Sequence, residues 1–224
     1  MVVHSKDLAL DEREFELLLE GARRIGDYRG RQATTIILLA GRLGMRSGEI
    51  THLQEDWIDW RRRMISIPSF ERCEKGRDGG PCGSCRQSAE QRVAHNPELE
   101  FEAVLETMWQ PKTAAAARDI PFDFDARVEL AVERFFDEWD GWPHSQTAIN
   151  RRVTLAADRA DELDPDLVTP HGLRATAASY HAAKGIGPLV LQALLGWANL
   201  ETSQCYIQSS GENTQRALHA VHSR

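Results

Sequence analysis

The sequence lacks any apolar segment long enough to cross a membrane. A transmembrane helix needs about 20 consecutive, mostly apolar residues, and no run in the 224 residues approaches that length. Residues 1–11 also lack the apolar centre of a secretory signal peptide. We therefore expect a cytoplasmic protein that has no membrane partner.

Cysteine is scarce, with four residues in the chain. Disulfide-stapled scaffolds are small, secreted and rich in cysteine, so that class is excluded and reduced thiols are predicted. Hydrophobic residues make up 42% and charged residues 27% of the sequence. This composition excludes wholesale disorder, and the length predicts one large domain or two small ones.

The chain also lacks an excess of positive charge. Its formal net charge is −7, which argues against a protein that simply coats DNA. The negative charge is concentrated in residues 96–170, which contain 7 Lys and Arg and 17 Asp and Glu. Two other segments are basic. Residues 57–95 contain 8 Lys and Arg and 5 Asp and Glu, a net charge of +3, and residues 171–224 contain 4 and 2, a net charge of +2. Surfaces therefore remain on which a polyanion can bind.

Hydrophobic periodicity predicts a largely helical chain. Residues 64–68 (MISIP) have the pattern of a short strand. Residues 112–121 fit a helix, through their alanines, and a hairpin about equally well. Thr169, Pro170 and Gly185 mark the two ends of the best-defined helix. Helices are predicted over residues 12–25, 31–43, 48–53, 126–139, 145–160, 170–184 and 188–195 and after Asn199.

His171 and Arg174 form a candidate phosphate site in the first turn of the predicted helix 170–184. Residues i and i+3 of a helix share one face, and this face lies where backbone N–H groups are unpaired and the helix dipole is positive. An imidazole and a guanidinium in that position suit a phosphate group. For the pair taken alone, a helix-start histidine beside a solvated arginine is the commoner outcome.

Three further residues have the chemistry that a phosphate-transfer site needs. Arg46 lies between a loop and a helix, where Glu49 can orient it; a surface arginine and a first-turn glutamate are the alternatives. Lys112 can protonate a leaving group from one end of a hairpin, or be an ordinary exposed lysine. Tyr206 can act as a nucleophile beside cationic groups, or anchor the edge of the core.

The order of these residues resembles the catalytic domain of the tyrosine recombinases, the phage integrase family. Four segments carry the resemblance: LGMRSGEITHLQEDWID (43–59), PKTAAAARDIP (111–121), TPHGLRATAAS (169–179) and LGWANLETSQCYIQ (195–208). It extends over about residues 8–210, nearly the whole chain. The resemblance implies an α+β fold that is mainly α-helical with a small antiparallel β-sheet.

The resemblance also implies a role for each residue of the set. Tyr206 would attack a DNA phosphodiester and form a 3′-phosphotyrosine, while Arg46 and Arg174 would bind the non-bridging oxygens. His171 would accept a proton or bind the phosphate. Lys112 would protonate the leaving 5′-oxygen.

The chain departs from the usual family pattern in three respects. Trp197 stands where the family more often has histidine; some members carry tryptophan there, and an indole can donate a hydrogen bond but cannot accept a proton. Ala175 stands where a second histidine is common. Only about 45 residues precede Arg46, so we expect residues 1–224 to be a single catalytic domain without the N-terminal DNA-clamping domain. A fragment of a longer protein and a minimal form of the enzyme are the two alternatives.

The function implied by the resemblance is that of a site-specific recombinase or integrase. Its partner would be double-stranded DNA, on which the protein would self-associate as a tetramer. Catalysis would need no cofactor, because the covalent bond to tyrosine stores the energy of the phosphodiester. A type IB topoisomerase-like nicking and closing enzyme and a catalytically silent DNA-binding protein are the alternatives.

Residues 71–98 contain three of the four cysteines and few large apolar residues, which predicts an inserted loop. Cys73, Cys82, Cys85 and His95 have the spacing C-x8-C-x2-C-x9-H, and three thiolates with one imidazole can complete a tetrahedral zinc site. Free thiols in a mobile loop are the alternative. A zinc ion at this place would have a structural role.

Overall fold

The computed structural model describes residues 8–207 together with residues 218, 219 and 222. These residues form α-helices and one small three-stranded antiparallel sheet, which confirms the predicted, mainly helical α+β class. The longest described helices have 14 residues, and none of them combines the length and apolar character of a membrane span. The helices are α1 (Glu12–Arg24), α2 (Tyr28–Gly41), α3 (Ser47–His52), α4 (Gly83–His95), α5 (Phe101–Glu106), α6 (Ala126–Glu138), α7 (Gln146–Arg159), α8 (Pro170–Ala183), α9 (Pro188–Leu195) and α10 (Leu200–Ile207).

Helices α1 and α2 form the centre of the core. A capping box starts α1: the Asp11 carboxylate accepts from the Glu14 N–H at 2.8 Å, and the Asp11 N–H donates to the Glu14 carboxylate at 2.8 Å. Helix α2 begins at Tyr28, three residues before the predicted start, because the Asp27 side chain caps it. Residues 36–39 are buried, and α2 packs against α1, α6, α7 and α8.

Helices α8 and α9 begin and end on the predicted signals. The Thr169 hydroxyl accepts from the Gly172 N–H at 3.0 Å, and Pro170 is the first residue of α8. Helix α9 ends at Gly196, whose φ of 57° lies in the left-handed region. A Cβ at Gly196 would lie 2.8 Å from the Cα of Ala116. Glycine is therefore needed here so that the segment around Ala116 can approach the end of α9.

The sheet consists of β1 (Ile58–Asp59), β2 (Met64–Ile67) and β3 (Arg118–Pro121), in that order and antiparallel. Strand β2 is the predicted one, and its Ile65 pairs with Ile120 of β3. A short 3-10 turn, Ala114–Ala116, directly precedes β3. The alanine-rich segment is therefore a turn and a strand, not an α-helix.

The connection from β2 to β3, residues 68–117, contains α4 and α5. The prediction of a loop over residues 71–98 is wrong, because α4 lies within it. Cys85 and Ala89, one turn apart, are buried and join α4 to the core. A buried face of such small side chains gives little hydrophobic periodicity, which explains why the sequence does not reveal this helix.

Candidate active site

A cleft of about 840 Å³ lies between α3, α4, the start of α8 and the segment before β3. Side chains from six separate parts of the chain line it together. Five of the six residues predicted to be catalytic are among them: Arg46, Lys112, His171, Arg174 and Trp197.

Arg46 is held by a buried carboxylate at the start of α3. Arg46 is the N-cap residue of this helix. Its guanidinium donates to Glu49 Oε1 at 2.9 Å, and its backbone N–H donates to Glu49 Oε2 at 2.9 Å. The Glu49 side chain is 1% exposed. Glu49 therefore fixes both the backbone and the side chain of Arg46.

Arg118, which the sequence alone does not single out, binds the same carboxylate. Its Nη1 and Nη2 donate to the two oxygens of Glu49 at 3.0 and 3.1 Å. Arg118 is the first residue of β3, and its side chain is 6% exposed. The arginine in the segment 111–121 is visible in the sequence, but no local pattern shows that it is buried against Glu49.

Arg174 is nearly buried and held in one orientation. Its Nη1 donates to the carbonyl oxygen of Gly44, and its Nη2 donates to that of Leu195. The guanidinium carbon lies 5.9 Å from the centroid of the Trp197 ring. A ligand in the cleft would therefore meet hydrogen-bond donors whose positions are already set.

The C-terminal end of α9 contacts all three guanidiniums. The carbonyl oxygens of residues 194–196 accept, in order, from Arg118, Arg174 and Arg46. The bonds from Arg118 Nε and Arg46 Nη2 measure 2.7 and 3.0 Å. Carbonyl groups at a helix C-terminus lack partners within the helix and carry the negative end of its dipole. The end of α9 therefore stabilises the clustered positive charge.

The cluster keeps a surplus of positive charge. Arg46, Arg118 and Arg174 surround one buried carboxylate, that of Glu49. Burial, and then repulsion by Arg46, lowers the pKa of Arg174 to about 9, so this guanidinium is charged at neutral pH. Burial alone would raise the pKa of Glu49, but the Arg118 charge brings it below its ordinary value. An anion in the cleft would relieve the repulsion among the guanidiniums.

His171 and Lys112 lie on the exposed side of the cleft. Partial burial, and then the charges of Arg174, Lys112 and Arg46, lower the pKa of His171 below its ordinary value. The imidazole is therefore neutral at pH 7, and a neutral imidazole can accept a proton. Lys112 lies on a bend just before Ala114–Ala116.

Tyr206 lies next to the cleft but does not line it. Its ring, on α10, stacks on Trp197 with the centroids 5.4 Å apart and an interplanar angle of 14°. Tyr206 is 7% exposed. Burial and then Arg46 lower the pKa of Arg174, and Tyr206 is close enough that a phenolate there would act in the opposite direction.

The three thiols of the insertion surround His52, not His95. The ligand atoms of His52, Cys73, Cys82 and Cys85 all lie within 4.8 Å of one another, and the four residues are buried. His95 is exposed at the end of α4, where its Nδ1 lies 2.7 Å from a carbonyl oxygen of the preceding turn. The geometry therefore replaces the predicted His95 by His52. The corrected set is compatible with a structural zinc ion.

Comparisons with known proteins agree with this picture. The family model described as the phage integrase family matches residues 9–213. The chain is similar to the tyrosine recombinase XerD of Xanthomonas campestris pv. campestris, with 28% identity over 219 residues. The match covers 96% of this chain and 58% of XerD. The chain thus spans little more than half the length of this relative.

Solved structures show the same likeness in the fold. The Tn1549 transposon integrase in complex with transposon right end DNA matches with a TM-score of 0.63 and 18% identity, covering 96% of this chain and 66% of that chain. XerA recombinase matches with a TM-score of 0.60 and 18% identity, covering 96% of this chain and 65% of that chain. The likeness confirms the predicted catalytic-domain fold.

Proposed function

The chain belongs to the phage integrase family, and we propose that it cuts and rejoins double-stranded DNA through a covalent bond between Tyr206 and a 3′-phosphate. The observation that carries this proposal is the convergence of Arg46, Lys112, His171 and Arg174 on one cleft. Guanidiniums with fixed positions suit a phosphodiester, because their N–H donors can bind the two non-bridging oxygens that share its negative charge. Tyr206, beside this cleft, supplies the nucleophile.

In the proposed cleavage step, the Tyr206 hydroxyl oxygen attacks the phosphorus atom, and the bond from phosphorus to the 5′-oxygen breaks. The phenol proton passes to the neutral imidazole of His171, and Lys112 gives a proton to the 5′-oxygen. Rejoining is the reverse, with a 5′-hydroxyl as the nucleophile and Tyr206 as the leaving group. The phosphotyrosine conserves the energy of the phosphodiester, so the reaction requires neither a metal ion nor a nucleotide.

Arg46 and Arg174 would stabilise the charge that develops on the non-bridging oxygens. A guanidinium has five N–H donors, and each of these two directs donors at two protein acceptors. The protein contacts set the orientation, and the other donors are available to the phosphate. Such preorganised donors stabilise a transition state without further rearrangement. Trp197 would donate its indole N–H to one oxygen.

Tyr206 has to move toward the cleft for this reaction. Its ring is covered by Trp197, and α10 packs against α8 and α9. We infer that α10 shifts when DNA enters the cleft, which exposes the phenol to the phosphate. A bound phosphate would neutralise part of the surplus charge that the cluster carries, and so favour the shifted position.

Strand exchange between two duplexes breaks four strands, and each break uses one tyrosine. We therefore propose that four copies of this chain assemble on DNA. Binding by one copy would depend strongly on salt, because phosphate contacts release counterions and the chain as a whole carries a net charge of −7.

A nicked suicide duplex tests the proposed chemistry. A nick beside the scissile phosphate lets a short fragment diffuse away, so the covalent intermediate accumulates. The substrate should be a pool of duplexes with random sequence around the nick, so that sequencing the trapped DNA also identifies the target. The wild-type chain is expected to form a protease-sensitive adduct that Tyr206→Phe abolishes.

Tyr180→Phe is the matched control, because Tyr180 lies on α8 over Arg42, with 4.0 Å from its ring centroid to the guanidinium carbon. It should form the adduct at the wild-type rate. The absence of an adduct from the whole pool, or its persistence in Tyr206→Phe, contradicts the proposed function.

The general acid can be tested with a better leaving group. Lys112→Ala is expected to slow cleavage of an ordinary phosphodiester by about 10²- to 10⁴-fold. A duplex with sulfur in place of the scissile 5′-oxygen should be cleaved at nearly the wild-type rate, because a thiolate leaves without a proton. Lys184→Ala, at the far end of α8 beside Tyr180, is the control. Equal slowing on both substrates would remove Lys112 as the acid.

A further inference from the structure

Three thiols and one imidazole meet with the separations of a tetrahedral zinc site. Zinc binds sulfur at about 2.3 Å and nitrogen at about 2.0 Å, so tetrahedral sulfur and nitrogen ligands lie about 3.5 Å apart. The His52 Nε2 lies 3.4 Å from the Sγ of Cys85 and 3.7 Å from that of Cys82. The Cys73 Sγ completes the set, with all four atoms within 4.8 Å of one another.

His52 is oriented as a ligand through Nε2. Its Nδ1 lies 2.8 Å from the carbonyl oxygen of Gly48, which keeps the proton on Nδ1 and turns the lone pair of Nε2 toward the thiols. Trp109 stacks on the imidazole with the centroids 5.0 Å apart. The Cys82 backbone N–H donates to the Sγ of Cys73 at 3.4 Å, a contact that favours the thiolate.

We propose that His52, Cys73, Cys82 and Cys85 bind one zinc ion, and that this ion holds together three walls of the active-site cleft. Three thiolates and one imidazole fill all four positions of a tetrahedral ion, and the four residues are buried. A closed set of this kind is typical of structural zinc, since catalytic zinc keeps one position open. The ion would therefore take no part in the reaction at Tyr206.

The first wall is α3, which places Arg46. His52 is the last residue of this six-residue helix, Glu49 lies one turn earlier, and Arg46 is the N-cap. A helix this short has little stability by itself. A zinc bond to His52 would fix one end of α3 and thereby the position of Arg46 at the other.

The second wall is the segment that leads to Lys112. Glu71 and Trp109 exchange two backbone hydrogen bonds, of 2.9 and 2.6 Å, and the Cys73 N–H donates to the carbonyl of Met108 at 3.1 Å. A zinc bond to Cys73 would anchor this pairing only three residues before Lys112.

The third wall is α4. Cys82 is its N-cap, and Cys85 lies in its first turn, so the ion would fix the start of the helix. Another face of α4 is polar and lines the cleft, with side chains at helical spacing. These side chains are Ser84, Ser88, Gln91, Arg92 and His95.

Metal analysis of the full chain tests the site. We expect one zinc ion per wild-type chain and none in His52→Ala. His95→Ala is the matched control, because His95 lines the same cleft and was the ligand expected from the sequence spacing; it should keep its zinc. Loss of zinc from His95→Ala with retention in His52→Ala would overturn the ligand set.

Cobalt(II) gives a second measurement that needs no ligand variant. In the wild-type chain it should produce thiolate-to-metal charge-transfer bands and the d–d bands of a tetrahedral site. Cys205→Ser, on α10 and outside the cluster, should leave both unchanged. A wild-type chain with neither bound zinc nor these bands would overturn the metal site.

The positioning role rests on the proposed function and has a separate readout. Removal of zinc should slow cleavage of an ordinary duplex by about 100-fold, because small misplacements of catalytic groups have effects of this size, and added zinc should restore the rate. Cleavage of the duplex with sulfur in place of the scissile 5′-oxygen does not need Lys112, so its rate should fall by a smaller factor. Equal losses on both duplexes would overturn the positioning of Lys112 through Cys73, and no loss on either duplex would overturn the positioning role altogether. A zinc-loaded chain that cleaves no DNA would contradict the proposed function and leave the metal site standing.

Discussion

Replacement of Arg174 by lysine is expected to slow DNA cleavage by about 100- to 1,000-fold, while DNA affinity falls by less than about tenfold. Lysine keeps the positive charge, but its donors all lie on one ammonium nitrogen, whereas those of the planar guanidinium are spread over three nitrogens. It can attract the phosphate, yet it cannot hold the Gly44 and Leu195 carbonyls and donate to a phosphate oxygen at once. Transition-state stabilisation is therefore lost more than binding.

Single-turnover cleavage and equilibrium DNA binding, measured on the same duplex, separate these two effects. Arg46→Lys should behave in the same way, because Arg46 is held on Glu49 and on the end of α9. Arg127→Lys is the matched control, since Arg127 pairs with Glu16 on another face. Equal losses of binding and cleavage in the Arg174 variant would contradict the assigned role.

Glu49→Gln is expected to destabilise the fold by about 3–5 kcal/mol, the usual effect of removing one partner from a buried ion pair. The Glu49 and Arg118 side chains are 1% and 6% exposed, so the guanidinium would be left buried without a counter-charge. Denaturant unfolding measures the effect. Glu55→Gln, at an exposed position, should change stability by no more than about 0.5 kcal/mol.

The effect of Glu49→Gln should also depend on pH. Burial would raise the pKa of Glu49, but the charge and hydrogen bonds of Arg118 bring it below the ordinary value of 4.5 in the folded state. A carboxylate with a depressed folded-state pKa stabilises fully above its unfolded pKa, and this contribution is lost as the pH falls through the folded-state value. The stability difference between wild type and Glu49→Gln should therefore be constant near neutral pH and shrink below about pH 4.5. A constant difference at all pH values would contradict this charge assignment.

The helices with strong local signals were predictable from the sequence. Helix α8 has Thr169 as its cap and Pro170 at its first position, and α6 and α7 carry clear apolar stripes; all three begin and end within two residues of the predicted bounds. Helix α4 was not predictable, because cysteine and alanine form its buried face. Local propensity reveals a helix only where the buried side chains are large enough to show the period.

The candidate site was likewise predictable only in part from the sequence. The sequence motifs identify four of the residues that line the cleft: Arg46, Lys112, His171 and Arg174. Glu49, which holds Arg46, was also predicted, but the carbonyl oxygens at the end of α9 were not, because backbone acceptors have no sequence signature. The fourth residue of the cysteine cluster was predicted wrongly for a similar reason. Spacing along the chain favours His95, which is near the cysteines in sequence, whereas the fold brings His52 of α3 to the thiols.

The position of the covalent bond tests the central claim most directly. Trypsin should release residues 185–216 as one peptide, and among the three tyrosines of the chain this peptide contains Tyr206 alone. Mass spectrometry of the trapped adduct, after nuclease digestion, should find a nucleotide on this peptide, and fragmentation should place it on Tyr206. A nucleotide on the adjacent Cys205, or on a peptide from another part of the chain, would contradict the account.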